Sequence, residues 1–145
     1  MGRMISELDF SMQKKAKNAW ETMKASEKLK ELGVEDIIIL ETKRALAVQM
    51  AYYSRSRMAV ADVRRMYAAA GLYDPTEAEC KTANTWTLDS KHIQGRAIDI
   101  APVKDGKTWW SAPEEVWETM GEIGEACGLK WGGRWKNKDC PHYEI

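Results

Sequence analysis

Ala97-Ile98-Asp99-Ile100-Ala101-Pro102-Val103 has strand character, with a turn at Lys104-Asp105-Gly106-Lys107. Asp99 would thus sit on a strand. Side chains alternate along a strand, so Ala97 and Asp99 share one face, and the small Ala97 leaves room beside the acid.

Just upstream lies Ser90-Lys91-His92-Ile93-Gln94-Gly95-Arg96, and the chain closes on Asp139-Cys140-Pro141-His142-Tyr143-Glu144. The 145-residue chain has only two histidines, and each sits in one of these clusters beside carboxylates and tight-turn residues. A catalytic divalent ion needs three protein ligands and one open position. His92, Asp99 and His142 would supply that set, and the loop-plus-strand spacing of the first two differs from the one-turn spacing of a helical motif. Zinc suits such nitrogen and oxygen ligands, although other divalent ions accept them too. Gly95 permits a backbone conformation or a close approach that a side chain would forbid. Pro141 fixes the backbone before His142, and His142 and Glu144 fall on one side of the last strand. Asp139 could reach the ion's open position and take a proton from bound water.

Each residue also has a plainer reading. Asp139 and Ser90 could be turn formers, Arg44 could pair with a surface acid, and Glu144 is better placed to support a ligand than to be one. Cys80, Cys127 and Cys140 are odd in number and widely spaced, which fits reduced thiols. Cys140 lies close enough to His142 in sequence to raise a Cys-His zinc pair or a thiol nucleophile as a further option.

The remaining pattern completes an α+β expectation: a small, mostly antiparallel sheet carrying the metal site, with helices packed on one side. Ser11 is a candidate N-cap for a helix carrying Met12, Ala16, Ala19, Trp20 and Met23 on one face, with Gly33 as its stop. Ile37 to Leu40 reads as a buried strand. Ala45 to Ala70 is helical, divided near Ser54 to Arg57, and Tyr73 to Asn84 reads as loop. Ser111-Ala112-Pro113-Glu114-Glu115 opens a helix that runs to Gly128, with Ser111 as N-cap. Leu129 to Trp131 and His142 to Ile145 are short strands around a Gly132-Gly133 turn.

Composition excludes several classes. Lys plus Arg equals Asp plus Glu, so no global basic field draws the chain to nucleic acid or to an anionic membrane. The apolar runs are strand-sized, and the N-terminus lacks the apolar stretch of a secretory signal. Synthesis in the cytoplasm without a signal peptide is therefore expected, as is a monomer. Trp86, Trp109, Trp110, Trp117, Trp131 and Trp135 crowd the second half. Most should be core, while exposed ones could stack on sugar rings.

Ser90-x-His92-x-x-Gly95-x-Ala97-x-Asp99 together with Asp139-x-Pro141-His142 resembles the zinc peptidase superfamily of D-alanyl-D-alanine carboxypeptidases and phage endolysins. The likeness is nearest to the L-alanyl-D-glutamate peptidase branch. Asp36 to Arg44 is similar to the strand leading to that family's active-site arginine, and Gln49 and Trp131-Gly132-Gly133-x-Trp135 also have counterparts there. The resemblance implies one zinc ion on His92, Asp99 and His142, with Asp139 as the catalytic carboxylate. It implies that Arg44 binds a substrate carbonyl or carboxylate, with Gln49 and Ser90 beside the substrate. It further implies one catalytic domain over residues 1–145 with no separate wall-binding domain, a peptidoglycan stem peptide as substrate, and a phage or prophage lysis enzyme that reaches the wall after release. A D-alanyl-D-alanine carboxypeptidase on the same metal set and a noncatalytic wall-binding module with a structural metal stay open.

Overall fold

Residues Ala97–Lys104 form β2, the strand on which the others assemble. The computed structural model describes residues 2–85, 87–88 and 90–145. β1 (Asp36–Glu41) pairs with one edge of β2, and β5 (His142–Glu144) with the other. β4 (Lys130–Trp131) extends the sheet beyond β5, and β3 (Lys107–Thr108) folds back on the end of β2. Every pairing is antiparallel, so the fold is the expected α+β arrangement.

Strand alternation sorts the side chains. Ile98 and Ile100 of β2 and Tyr143 of β5 enter the main core, and the intervening Asp99 and His142 face the opposite way. α1 (Phe10–Ala25) and α6 (Glu114–Ala126) cover the apolar face. α1 buries Met12, Ala16, Ala19 and Met23, a helical stripe in which each methionine contributes roughly 1.5–3 kcal/mol. Gly121 and Gly124 of α6 let the helix sit directly on the Trp131 and Tyr143 rings. A Cβ on either glycine would come within 2.3 Å and 2.5 Å of those rings, respectively.

The first expected helix is two helices. Ser26 has extended backbone and its hydroxyl accepts the Leu29 N–H, so it ends α1 and caps α2 (Glu27–Glu31); Gly33, at φ +103°, ends α2. Asp9, rather than Ser11, precedes the first turn of α1. Pro113, rather than Ser111, precedes α6; its ψ of 150° is extended, and the helical conformation starts at Glu114. The helical stretch after Arg44 divides as expected into α3 (Leu46–Ser54) and α4 (Val60–Ala69). The segment read as loop contains α5 (Glu77–Lys81), started by a capping box in which Thr76 and Glu79 satisfy each other's backbone N–H groups.

Helices on one side is true of α1 and α6. α3, α4 and α5 instead gather around a second small core of Ala51, Val63, Tyr67 and Cys80, with Tyr52 packed against it. Among the described tryptophans, Trp117 and Trp131 are buried, while Trp110 and Trp135 are exposed. Trp86 lies outside the described residues. No helix among the described residues is long and apolar enough to cross a membrane.

Candidate metal centre

The antiparallel register places Asp99 of β2 directly opposite His142 of β5, on the face turned away from α1 and α6. His92 arrives from the turn before β2. Gly95, at φ +69°, closes that turn, and a Cβ there would come within 2.9 Å of the Asp9 backbone nitrogen. One potential ligand atom from each of His92, Asp99 and His142 lies within 4.8 Å of the others, and both histidines are buried. A single small divalent ion bonded at about 2 Å to each would fit that spread. The donor set of two imidazoles and one carboxylate suits such an ion.

The two histidines present different nitrogens. The Nδ1 of His92 lies 2.8 Å from the carbonyl of Thr42 and must carry the proton it donates, leaving Nε2, 3.2 Å from Asp99 Oδ1, with its lone pair toward the site. His142 is reversed: Nε2 donates to Glu144 Oε1 at 2.8 Å, and Nδ1 lies 3.2 Å from the same Asp99 oxygen. Each tautomer is thus set by the group on the far side of its ring.

Burial would raise the Asp99 carboxyl, but when both rings are protonated, as in the ion-free protein at low pH, their hydrogen bonds and charge outweigh it and hold Asp99 well below the usual carboxylate range. Burial likewise opposes charge on His142, yet Asp99, Glu144 and Asp139 lift that imidazole above its ordinary value. Asp139 Oδ2 lies 3.9 Å from His142 Nδ1. Burial first, and then the charge of Asp99, raise the Asp139 carboxyl. Its loop is pinned by Gly132, whose carbonyl accepts the Asp139 N–H at 3.0 Å; a Cβ on Gly132 would meet the Asp139 carbonyl oxygen at 2.4 Å.

A cleft of about 1100 Å³ opens over this centre, lined by Arg44, Ser90, His92, Trp135, Asp139 and His142 among others. The ring of Trp135 lies 5.0 Å, centroid to centroid, from that of His142. Ser90 lines the cleft and also accepts the His92 N–H at 3.2 Å, so its turn-forming role is present. Gln49 has no exposed surface: its amide reaches Arg44, Thr85 and Thr87 rather than the cleft. Cys140 lies outside the converging group, and burial raises its thiol, which disfavours a nucleophilic thiolate.

The alternation rules did not single out Glu41. A bulge at the end of β1 makes Ile39 pair with Ile100 but Glu41 pair with Asp99, which brings a buried carboxylate to the metal-site face. Glu41 Oε1 bonds the Arg44 guanidinium and lies 3.7 Å from His92 Nδ1. The only signal in the sequence was an acid ending an apolar strand, three residues before the arginine.

Residues 83–145 match a family profile described as D-alanyl-D-alanine carboxypeptidase. The resemblance to the zinc peptidase superfamily stands. The peptidoglycan L-alanyl-D-glutamate endopeptidase CwlK of Bacillus subtilis (strain 168) is 38% identical over 66 residues, covering 39% of this chain and 40% of that protein. The chain therefore spans about two fifths of the length of that curated relative. The solved structure of the L-Ala D-Glu endopeptidase ChiX of Serratia marcescens superposes with a TM-score of 0.55 at 20% identity, over 97% of this chain and 82% of that one. A mutant of the vancomycin resistance D,D-pentapeptidase VanY, in complex with Zn(II), gives a TM-score of 0.54 at 19% identity, over 95% and 72%. At about one-fifth identity these two structures establish a shared fold.

Proposed function

We propose that this chain is a zinc-dependent peptidase that cuts the L-alanyl-D-glutamate bond of peptidoglycan stem peptides. The observation that carries the reading is the convergence of His92, Asp99 and His142, with Asp139 beside them, at the base of a peptide-sized cleft. The names of CwlK and ChiX support this choice of bond. The placement among phage or prophage lysis enzymes rests on the resemblance of the two-part His and Asp signature.

His92 Nε2, His142 Nδ1 and the Asp99 carboxylate would hold the ion. When bound, zinc supplies Lewis acidity and a water acidic enough to be deprotonated near neutral pH. Asp139, beside His142 at the cleft, would take up the proton and return it to the leaving amine. Thr42 and Glu144 keep the two imidazoles in the tautomers that binding requires. Arg44, at the cleft wall, donates hydrogen bonds to the substrate group beside the scissile bond.

The decisive experiment is metal analysis of the purified protein together with mass spectrometry of digested muropeptides. A new amino terminus on D-glutamate is the expected product. The family profile, which is described by carboxypeptidase activity, favours one second reading. Release of free D-alanine with an intact L-alanyl-D-glutamate bond would establish that reading instead.

A further inference from the structure

Arg44 is held from two sides. One terminal nitrogen, Nη1, donates to Gln49 Oε1 at 2.6 Å, and the other, Nη2, to Glu41 Oε1. Both acceptors are buried: Gln49 is wholly inaccessible, and the Glu41 side chain is only 5% exposed. Arg44 itself is 14% exposed and reaches the cleft, with its guanidinium carbon 5.0 Å from the centre of the Tyr52 ring. Gln49 is anchored in turn, since its Nε2 donates to the Thr87 carbonyl at 2.7 Å. The backbone takes part as well: the Arg44 N–H donates to the His92 carbonyl at 2.9 Å, and the Thr42 carbonyl holds the His92 ring.

An arginine this enclosed needs a fixed counter-charge, and removing one partner of such a pair costs far more than its surface equivalent. Arg44 carries five N–H donors, more than Glu41 and Gln49 use, so donors remain for a bound group. Glu41 reaches this position only because of the bulge at the end of β1; without it Leu40 would oppose Asp99.

We infer that Glu41 is a positioning residue: with Gln49 it clamps the Arg44 guanidinium so that its free donors meet a carboxylate on the residue that follows the scissile bond. This rests on the peptidase reading, in which the D-glutamate after that bond has a free α-carboxylate. Glu41 does not touch the substrate. It sets the direction of the fork that does, and so sets the preference for the free acid over the corresponding amide.

The test compares two forms of one short D-isoglutamate product peptide, the free α-carboxylate and the α-carboxamide, by titration into metal-free protein. The KM and kcat of the matching cleavable peptides on zinc-loaded protein are measured alongside. The wild type should prefer the carboxylate by about tenfold to a hundredfold, the range of one charge-assisted hydrogen-bonded pair. Glu41→Ala should lose most of that preference, chiefly through KM. Arg44→Ala and the Glu41→Ala/Arg44→Ala double variant should lose it to the same extent, because the two residues act as one unit. Glu41→Gln keeps an acceptor at the same place and covers the event that Glu41→Ala fails to fold; it should retain the preference. A folded Glu41→Ala protein with the wild-type preference, a folded Glu41→Gln protein without it, or a wild type that binds acid and amide equally, would each overturn the inference. If the wild type releases D-alanine and leaves the L-alanyl-D-glutamate bond intact, the reading of the function falls and takes the inference with it. Cleavage of that bond without preference sinks the inference alone.

Discussion

The Nε2–H of His142 donates to Glu144 two residues further along the same strand, at 2.8 Å, leaving Nδ1 as the only nitrogen of that ring free to bind an ion. A carboxylate in this place fixes the ring and makes its opposite nitrogen more basic. Glu144→Ala should weaken zinc binding by about 10- to 100-fold, and Glu144→Gln, which keeps an acceptor, should weaken it less. Competition against a chromophoric chelator measures both. Unchanged affinity in Glu144→Ala would mean that the contact is incidental.

His92→Ala and Asp139→Ala should fail differently. The first removes a ligand, so bound zinc and cleavage should disappear together. The second leaves the three converging ligands in place; zinc should remain stoichiometric while kcat falls by roughly 10² to 10⁴, the usual worth of a positioned acid or base. Metal content by mass spectrometry and muropeptide turnover separate the two outcomes. An Asp139→Ala protein that retains full turnover would remove Asp139 from the reaction.

The metal-free protein should show a pH signature. The His142 imidazole is raised, so the stability it contributes is complete below the unfolded histidine value of about 6.5 and is lost as pH rises through its folded value. Asp99 is depressed, so its contribution is complete above the unfolded value of about 3.9 and is lost as pH falls through its folded value. This cluster therefore stabilises the chelated protein most between about pH 4 and pH 6.5. Zinc requires a neutral imidazole, so its affinity should drop with falling pH from above the ordinary histidine range, and the loaded protein should be most stable at higher pH. Melting curves with and without chelator check both statements. A chelated protein that becomes steadily more stable from pH 5 to pH 8 would contradict them.

Gly121→Ala sets two effects against each other. Alanine favours a helix over glycine by about 1 kcal/mol. The new Cβ, however, would lie 2.3 Å from the Trp131 ring, whose indole N–H is committed to the Cys140 carbonyl at 2.7 Å. Overpacking a core typically costs about 1–3 kcal/mol, so the net effect should be destabilising, and it should displace β4 and the loop bearing Asp139. Chemical denaturation measures the sign. A stabilised variant would mean that Trp131 yields without cost.

The converging set of His92, Asp99 and His142 was legible in the sequence because its signals are local. Tight-turn residues flank His92, period-two spacing puts Asp99 beside Ala97 on one face, and Pro141 leads His142 into the last strand. The capping box at Thr76 and Glu79 was equally local, but it lay in a polar stretch that composition marks as loop. The break at Ser26 was hidden because apolar and charged residues continue in helical rhythm across it.

By itself the sequence determined an α+β chain, the candidate set of His92, Asp99 and His142, and the likeness to a peptidase family, since spacing and residue type travel with the chain. Only the tertiary structure decided which imidazole nitrogen each histidine offers, that Gln49 is buried behind Arg44 rather than facing the cleft, and that Glu41 joins the site. Those facts depend on strand register, and on a bulge that shifts one pairing by one residue. Register is fixed by the sum of many contacts between segments distant in sequence, and no short stretch carries that sum.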